Sequence, residues 1–459
     1  MGKICYKRVL CSIVAVMMLA FLFYGCSGQT TGDNTSKSTS QVAKTDTQVS
    51  TAKATSASTE MKPEDYKGKV TIWGWDAAGT NQLLPYFNRT YKNIKVEYVP
   101  VAYGDLVQKV RTSLASSMDL PDVCWMESGV RGSLIDLDCW DNLEGAPYNF
   151  DKSTIFSYLL PILSNAKGEL VAIDWGGAMA GLAYRKEIAK KYLGTDDPAE
   201  LQKLLPNWNS IIEKGKEIRA KSGNKVFMFA CDSDVHYIFN NSNPEPFVNG
   251  DKLNFDNSVG KTLDFMTKLV AANLLDTIDV WSPAYYASFK SGNYMFYPCP
   301  PWMLNQFATQ DPDGVNKWGL MIPPGGGFNY GGTAYGISKT SKNKEAAWQF
   351  VNWFLLSDEG SRLNKDINKQ WSCNKSLYES KDFSEIKDTR FGDQNLGDVW
   401  FNQIAPNMKL RPLSKYDSVI NETLDLVDKD IKLKKIDYTT AAEEFKKEIK
   451  SKVPELIVD

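Results

Sequence analysis

The stretch that decides the fold is GGTAYGISKTSKNKEAAWQFVNWFLLSDEG, residues 331–360. Its apolar run over 333–337 follows two glycines and predicts a buried strand. Ser341 or Asn343 can then cap a helix over 344–356, whose apolar residues recur at helical spacing. A strand followed directly by a helix is the repeating unit of an α/β fold.

The same alternation of strands and helices extends outward from this stretch. It predicts an α/β layer with a parallel sheet. The part of the chain from residue 66 to residue 459 is too long for one compact core, so we expect two domains. The predicted strands are 70–73, 93–99, 121–126, 170–173, 226–230 and one ending at Tyr297; the predicted helices are 82–89, 104–117, 185–193, 210–221, 258–274 and 441–453.

The N-terminal segment predicts export and a lipid anchor. Basic residues precede an apolar run over 9–24 and then Gly25-Cys26, which is the pattern of a secretory signal peptide over 1–25. Residues 23–26 resemble a bacterial lipobox, although Phe23 and Tyr24 depart from it, and this resemblance implies lipidation at Cys26. Residues 26–65 are rich in Ser, Thr, Ala and Lys and predict a disordered linker. We therefore expect the protein at the extracellular face of the cell membrane.

The composition argues against several other functions. The chain has 53 basic and 55 acidic residues without a basic stripe, which disfavours nucleic acid as a partner. The five cysteines after Cys26 are widely spaced, so they predict small buried residues rather than a disulfide framework or a zinc site. The single histidine, His236, is expected to be structural or to lie at a cleft rim. Because no phosphate loop or nucleophile elbow is present, we predict no catalytic residue, no metal and no cofactor.

Several segments together resemble the maltose-binding-type extracellular solute-binding proteins of ABC importers, in their carbohydrate-binding, Gram-positive-like lipoprotein form. The block 331–360 is the most specific, and Pro121-Asp122-Val123, the segment 182–186 and Trp208 match in order and spacing. The resemblance implies a two-lobed, periplasmic-binding-protein-like α/β fold in which each lobe is a sheet flanked by helices. It implies an N-terminal lobe of 66–175 plus 333–366 and a C-terminal lobe of 176–332 plus 367–459. Hinge crossings are expected near 175–179, 330–333 and 365–371, with glycines at 176, 177, 331 and 332.

Aromatic and acidic residues recur just after the predicted strands, where α/β proteins bind ligands. A sugar ring stacks its C–H face on an indole and donates hydroxyl hydrogen bonds to carboxylates. Trp125 can face either the cleft or the core, whereas Trp208, Trp348 and Trp353 are assigned to packing. The predicted ligand-binding residues are Trp75, Asp76, Glu127, Asp174, Trp175, Trp302, Tyr330 and Trp371.

These observations predict a receptor, not an enzyme. It would act as a monomer that captures a sugar or oligosaccharide by lobe closure and delivers it to the permease subunits of an ABC transporter. A surface glycoside hydrolase is one alternative, with Glu127 and either Asp76 or Asp174 as the catalytic carboxyl groups. A receptor for a polyamine or a glycerophosphodiester is another, because an aromatic and acidic site also suits a cation.

Overall fold

The computed structural model describes residues 61–459. The predicted signal peptide, the lipidation site at Cys26 and most of the predicted linker lie outside these residues. The linker prediction ran to residue 65, but Pro63–Asp65 forms a short 3-10 helix, and the Asn93 side chain donates a hydrogen bond to the Glu64 carbonyl. The folded body therefore begins before residue 66. No helix within 61–459 combines the length and apolar character needed to cross a bilayer.

Eleven strands and sixteen α-helices alternate along the described chain. The strands are β1 Gly68–Gly74, β2 Ile94–Pro100, β3 Val123–Glu127, β4 Ala172–Asp174, β5 Met179–Arg185, β6 Val248–Asn249, β7 Lys252–Leu253, β8 Phe296–Cys299, β9 Trp318–Met321, β10 Phe328–Asn329 and β11 Thr333–Ile337. The helices are α1 Ala78–Thr90, α2 Leu106–Ala115, α3 Ser128–Ile135, α4 Leu160–Leu163, α5 Lys186–Leu193, α6 Pro198–Leu204, α7 Trp208–Lys221, α8 Asp232–Ser242, α9 Val259–Ala271, α10 Pro283–Ser291, α11 Leu304–Gln310, α12 Lys344–Leu355, α13 Asp358–Leu363, α14 Lys381–Ser384, α15 Asp417–Lys434 and α16 Tyr438–Lys452.

The N-terminal lobe contains a five-stranded sheet in the order β2-β1-β3-β11-β4. β1 runs parallel to β2 and β3, as predicted, but β11 runs antiparallel to β3 and β4. The predicted parallel sheet is therefore present in β1, β2 and β3, and β11 departs from it. The reason is topological, because β11 re-enters the lobe at the edge where β1, β3 and β4 end. Gly74, Glu127, Asp174 and Thr333 consequently share that edge.

The C-terminal lobe is built on β5, which pairs antiparallel with β8, β9 and β10. The strand predicted at 226–230 forms only isolated bridges, from Phe227 to Tyr294 and from Phe229 to Leu275. Helices α7, α8, α9, α15 and α16 supply apolar residues to the core of this lobe. The predicted helix over 258–274 is present as α9, shorter at its C-terminal end.

Two segments join the sheets at the predicted positions, residues 175–178 between β4 and β5 and residues 330–332 between β10 and β11. The segment predicted as the third crossing, 365–371, does not leave the N-terminal lobe. Beyond it, Asn374 still bridges to Ile155 and donates to the Leu356 carbonyl. The Thr389 carbonyl then accepts a hydrogen bond from Asn316 N, just before β9. The third passage therefore lies between residues 374 and 389. The lobe boundaries as a whole stay predictions.

The structure shows which of the cysteine, tryptophan and arginine side chains discussed above are buried. The five cysteines of the described chain are free and buried, which confirms the packing prediction. Trp348 and Trp353 are buried in the core, also as predicted. Arg185, the first residue of the helix predicted over 185–193, instead ends β5 and is buried, and its guanidinium pairs with Asp311 at 3.1 Å. That correction follows from tertiary packing, because Asp311 lies 126 residues away.

Candidate ligand-binding cleft

A cavity of about 590 Å³ lies between the two lobes. It sits at the shared edge where β1, β3 and β4 end and β11 begins, and both crossings at 175–178 and 330–332 contribute to its wall. Its volume falls within the range of about 300–1,000 Å³ that is typical of small-molecule sites. The fold therefore places one ligand-sized space where its crossings meet.

The N-terminal wall of the cavity consists of three tryptophans, Trp75, Trp125 and Trp175. The ring centroid of Trp125 lies 5.0 Å from that of Trp75 and 5.7 Å from that of Trp175. The Trp175 indole is fixed because its Nε1 donates to Asn364 Oδ1 at 3.1 Å and its ring packs on Phe354. This wall is an aromatic surface anchored in the core of the lobe.

The C-terminal wall is also aromatic and consists of Trp281, Trp302 and Tyr330. Trp302 stacks on Tyr330 with 5.8 Å between centroids, and its Nε1 donates to the Tyr330 carbonyl at 3.2 Å. Trp281 packs on Trp302 at 6.1 Å and is 41% exposed. Its φ of 62° is in the left-handed region, which is costly for a bulky residue and concentrates at functional sites.

A buried carboxylate holds this second wall in place. Asp234 on α8 accepts hydrogen bonds from the Tyr330 hydroxyl at 2.6 Å and from the Tyr285 hydroxyl at 2.9 Å. Burial raises the pKa of Asp234 to about 6, while both hydroxyl donors act in the opposite direction. The orientation of Tyr330 in the cleft therefore depends on a residue 96 positions away in the chain.

The three acidic residues at the cavity are used in different ways. Glu127 caps α3: its Oε2 accepts from Gly129 N at 2.7 Å and from the Tyr103 hydroxyl at 3.0 Å. Asp174 is buried, where burial raises its pKa although Arg131 opposes that shift, and its Oδ2 accepts from Arg131 at 3.0 Å. Asp76 is exposed and uses Oδ1 to accept from Ala78 N, which begins α1. Of the three, Asp76 is the carboxylate with an oxygen that makes no hydrogen bond to the described chain.

The structure brings seven of the eight predicted residues into the lining of this one cavity: Trp75, Asp76, Glu127, Asp174, Trp175, Trp302 and Tyr330. Trp371 does not line it, and its side chain packs in the hydrophobic core instead. Sequence reasoning left Trp125 undecided and missed five aromatic or amide-bearing lining residues: Gln82, Tyr237, Trp281, Asn368 and Gln370. None of these five directly follows a strand, so the rule that found the others could not find them.

The lining does not provide the groups that a metal or an anion needs. No lysine, arginine or histidine of the described chain lines the cavity. Among residues 61–459, no cluster of three or more histidine, cysteine, aspartate or glutamate residues is placed to hold a metal ion. His236 lies in the C-terminal lobe, where it is buried and its Nδ1 lies 3.0 Å from Asp428 Oδ2.

Comparison with known proteins agrees with this architecture. The family model described as bacterial extracellular solute-binding protein matches residues 74–360. A lactose-binding protein of Rhizobium radiobacter is 24% identical over 317 residues, which is 64% of this chain and 72% of that protein. An arabinooligosaccharide-binding protein of Bacillus subtilis (strain 168) is 21% identical over 390 residues, 80% of this chain and 79% of that protein.

Solved structures share the fold. A crystal structure of an extracellular solute-binding protein of family 1 superposes with a TM-score of 0.75 at 20% identity, covering 83% of this chain and 99% of that one. The fold is accordingly the two-lobed one that the resemblance implied. The family match spans more than half of the chain and includes β3, both crossings and the block at 331–360. The chain therefore belongs to the family of bacterial extracellular solute-binding proteins.

Proposed function

We propose that this protein is an extracellular receptor that captures a neutral sugar or oligosaccharide between its two lobes and delivers it to the permease of an ABC transporter. The observation that carries the proposal is the pair of facing aromatic walls, one from each lobe, around a single cavity of about 590 Å³. A sugar ring matches such a space, because its apolar C–H faces pack on indoles while the hydroxyls at its edge reach the polar groups of the lining.

The polar groups of the cavity suit hydroxyl ligands. Gln82 and Gln370 bring amides that both donate and accept, whereas the Asn368 amide nitrogen already donates to Gly79 and Asn364 and leaves its oxygen as an acceptor. Asp76 brings a carboxylate oxygen that makes no hydrogen bond to the described chain. Two relatives are named for sugars, lactose in one case and arabinooligosaccharides in the other. These observations support a carbohydrate as the ligand class.

The charges favour a neutral ligand over an anionic one. The cavity is lined by three carboxylates and by no cationic side chain of the described chain, and the charge of Asp174 is balanced by Arg131. A uronic acid or a phosphorylated sugar would bring a second negative charge close to Asp76 and Glu127 without a cation to neutralise it. The same argument disfavours a glycerophosphodiester.

The crossings are built for rotation of one lobe against the other. Gly176, Gly177, Gly331 and Gly332 have φ values of 144°, 53°, 80° and 98°, which side-chain-bearing residues rarely adopt. A ligand held between both walls binds the closed form better than the open form, and it shifts the equilibrium by that difference in affinity. Closure is then the signal that a permease reads. Lipidation at Cys26 would keep this monomeric receptor at the extracellular face of the cell membrane.

A hydrolase is the weaker alternative, because Glu127 and Asp174, two of the three cavity carboxylates, are engaged within the protein, which leaves Asp76 as the one with an open oxygen. Both oxygens of Glu127 accept hydrogen bonds, from Ser128, Gly129 and Tyr103. Asp174 is bound to Arg131 and to Gly177 N. A glycosidase needs one free carboxylic acid and one free carboxylate flanking the scissile bond.

The proposal is tested by calorimetric titration of the purified protein with neutral oligosaccharides of the lactose, arabino- and malto-series. At least one compound should bind, and Trp302→Ala should weaken it roughly 30-fold, since truncating a buried aromatic anchor costs about 2 kcal/mol. Trp208→Ala is the matched control, because Trp208 packs on Phe239 and Phe265 outside the cavity. Binding of spermidine in place of every sugar, or release of cleaved products, would overturn the proposal.

A further inference from the structure

A second cavity adjoins the first between the lobes. It measures about 670 Å³ and is lined by α2 and α3 of the N-terminal lobe and by α15 and the chain end of the C-terminal lobe. Tyr237 lines both cavities. The two spaces are therefore neighbours, and what separates them decides whether one ligand can occupy both.

The separating wall has one tyrosine from each lobe. Tyr103 precedes α2, and its hydroxyl donates to Glu127 Oε2 at 3.0 Å, so it connects the second cavity to a residue of the first. Its ring packs edge-on against Trp75 with 5.5 Å between centroids. Tyr237 on α8 packs edge-on against Tyr330 at 5.7 Å. Each tyrosine thus closes the end of one aromatic wall.

A glycine allows the two hydroxyls to converge. A Cβ at Gly129, in the first turn of α3, would lie 2.7 Å from the Tyr103 hydroxyl and 3.9 Å from the Tyr237 hydroxyl. A larger residue would displace Tyr103. The absence of a side chain there leaves room for both hydroxyls beside the first turn of α3.

The second cavity has the chemistry of a further carbohydrate subsite. Arg111, Ser418, Asn421 and Glu422 offer donors and acceptors for hydroxyls, and Tyr416 offers a ring. The second cavity is lined by both acidic and basic side chains, so its charges do not favour an anionic or a cationic ligand.

We propose that Tyr103 and Tyr237 form a partition that sets the maximum length of the captured oligosaccharide. This inference rests on the proposed function. A chain that fills the first cavity ends against the two tyrosines, and a longer chain enters the second cavity only when the partition is absent. The cavity behind it gives the added sugar units a place to bind.

The test compares the wild type with the double variant Tyr103→Ala/Tyr237→Ala, using calorimetric titration with ladders of arabino-, galacto- and malto-oligosaccharides of two to seven units. In the wild type, affinity should rise with length and then fall once the first cavity is full. In the double variant, the longest compounds should gain at least tenfold relative to the shortest bound compound. Tyr86→Ala, which truncates a tyrosine outside both cavities, should keep the wild-type profile.

An unchanged length profile in the double variant would overturn the partition while leaving sugar binding intact. If no ladder binds the wild type, the proposed function fails and the partition falls with it, which is a distinct result. Tyr103→Ala alone provides a second measurement should the double variant fail to fold, since Tyr103 is 41% exposed and its truncation leaves the core untouched. It should extend the profile in the same direction, and the absence of any extension would count against the inference.

Discussion

Replacing Asp174 by asparagine should strongly destabilise the protein. Asp174 is 2% exposed, and Arg131 Nη2 donates to it at 3.0 Å. The same guanidinium donates to the carbonyl of Gly332 at 2.9 Å, and Gly177 N donates to Asp174 at 2.8 Å. The pair therefore connects α3 to both crossings at 175–178 and 330–332. Asp174→Asn would leave the wholly buried charge of Arg131 without a counter-charge.

The magnitude follows from the burial of the pair. Removing one partner of a buried ion pair costs about 3–5 kcal/mol, chiefly because the remaining charge is desolvated and unpaired. Asparagine keeps one oxygen that can accept from Arg131, so we expect about 3 kcal/mol. That value lowers the folding equilibrium constant roughly 150-fold. Burial raises the pKa of Asp174 despite Arg131. An intact buried ion pair is often no more stabilising than apolar residues of similar volume.

Urea unfolding at pH 7, followed by tryptophan fluorescence and circular dichroism, measures this cost. Asp138→Asn is the control, because Asp138 pairs with Lys339 on the exposed surface and its replacement should leave the midpoint unchanged. The double variant Arg131→Met/Asp174→Leu should recover most of the stability lost by Asp174→Asn. The reasoning is refuted if Asp174→Asn behaves like the surface control, or if the double variant is less stable than Asp174→Asn.

Three further outcomes are expected. Gly176→Ala should lower the free energy of unfolding for two reasons: positive-φ strain costs about 1–3 kcal/mol, and a Cβ would also clash with the Trp371 carbonyl, which adds to that cost. Gly168→Ala measures the strain alone, because Gly168 also has a positive φ but has open space around its added Cβ. Burial lowers the pKa of His236, but Asp428, Asp425 and Asn421 together raise it more, so the net shift is upward. The stability that His236 contributes is fully present below its unfolded pKa of about 6.5, and it is lost as the pH rises through the raised pKa of the folded state. The urea midpoint of the wild type should therefore decrease between pH 6 and pH 9, and the midpoint of His236→Gln should decrease less. An oligosaccharide with one uronic acid should bind at least tenfold more weakly than its neutral counterpart in titrations at low salt, and equal affinity would contradict the charge argument.

Much of the N-terminal lobe follows from the sequence. The strand predicted over 333–337 has those bounds in the structure, and the helix predicted over 344–356 ends one residue earlier. These predictions succeeded because an apolar run of strand length, and apolar residues at helical spacing, are signals that lie within a few adjacent residues. The rule that ligands bind at strand ends located seven lining residues. Five of them lie where β1, β3 and β4 end at the same edge, and Trp302 and Tyr330 follow β8 and β10 of the C-terminal lobe.

What the sequence could not determine depends on contacts between distant segments. Trp371 and Trp302 were both predicted to bind the ligand, yet only packing decides that Trp371 lies in the core and Trp302 lines the cavity. Trp281 enters the cavity from a turn before α10, and Arg185 is buried by its pairing with Asp311.

Sequence alone therefore determined most of the predicted element types, the family and the sheet edge along which the candidate cavity lies. Tertiary structure decided the direction of β11, the hydrogen bonding of Asp174 to Arg131 and of Glu127 to Tyr103, and the positions of Tyr103 and Tyr237 beside the second cavity. Local periodicity specifies which face of an element is apolar, whereas burial and hydrogen bonding of a side chain are set by whichever elements the whole chain brings against it.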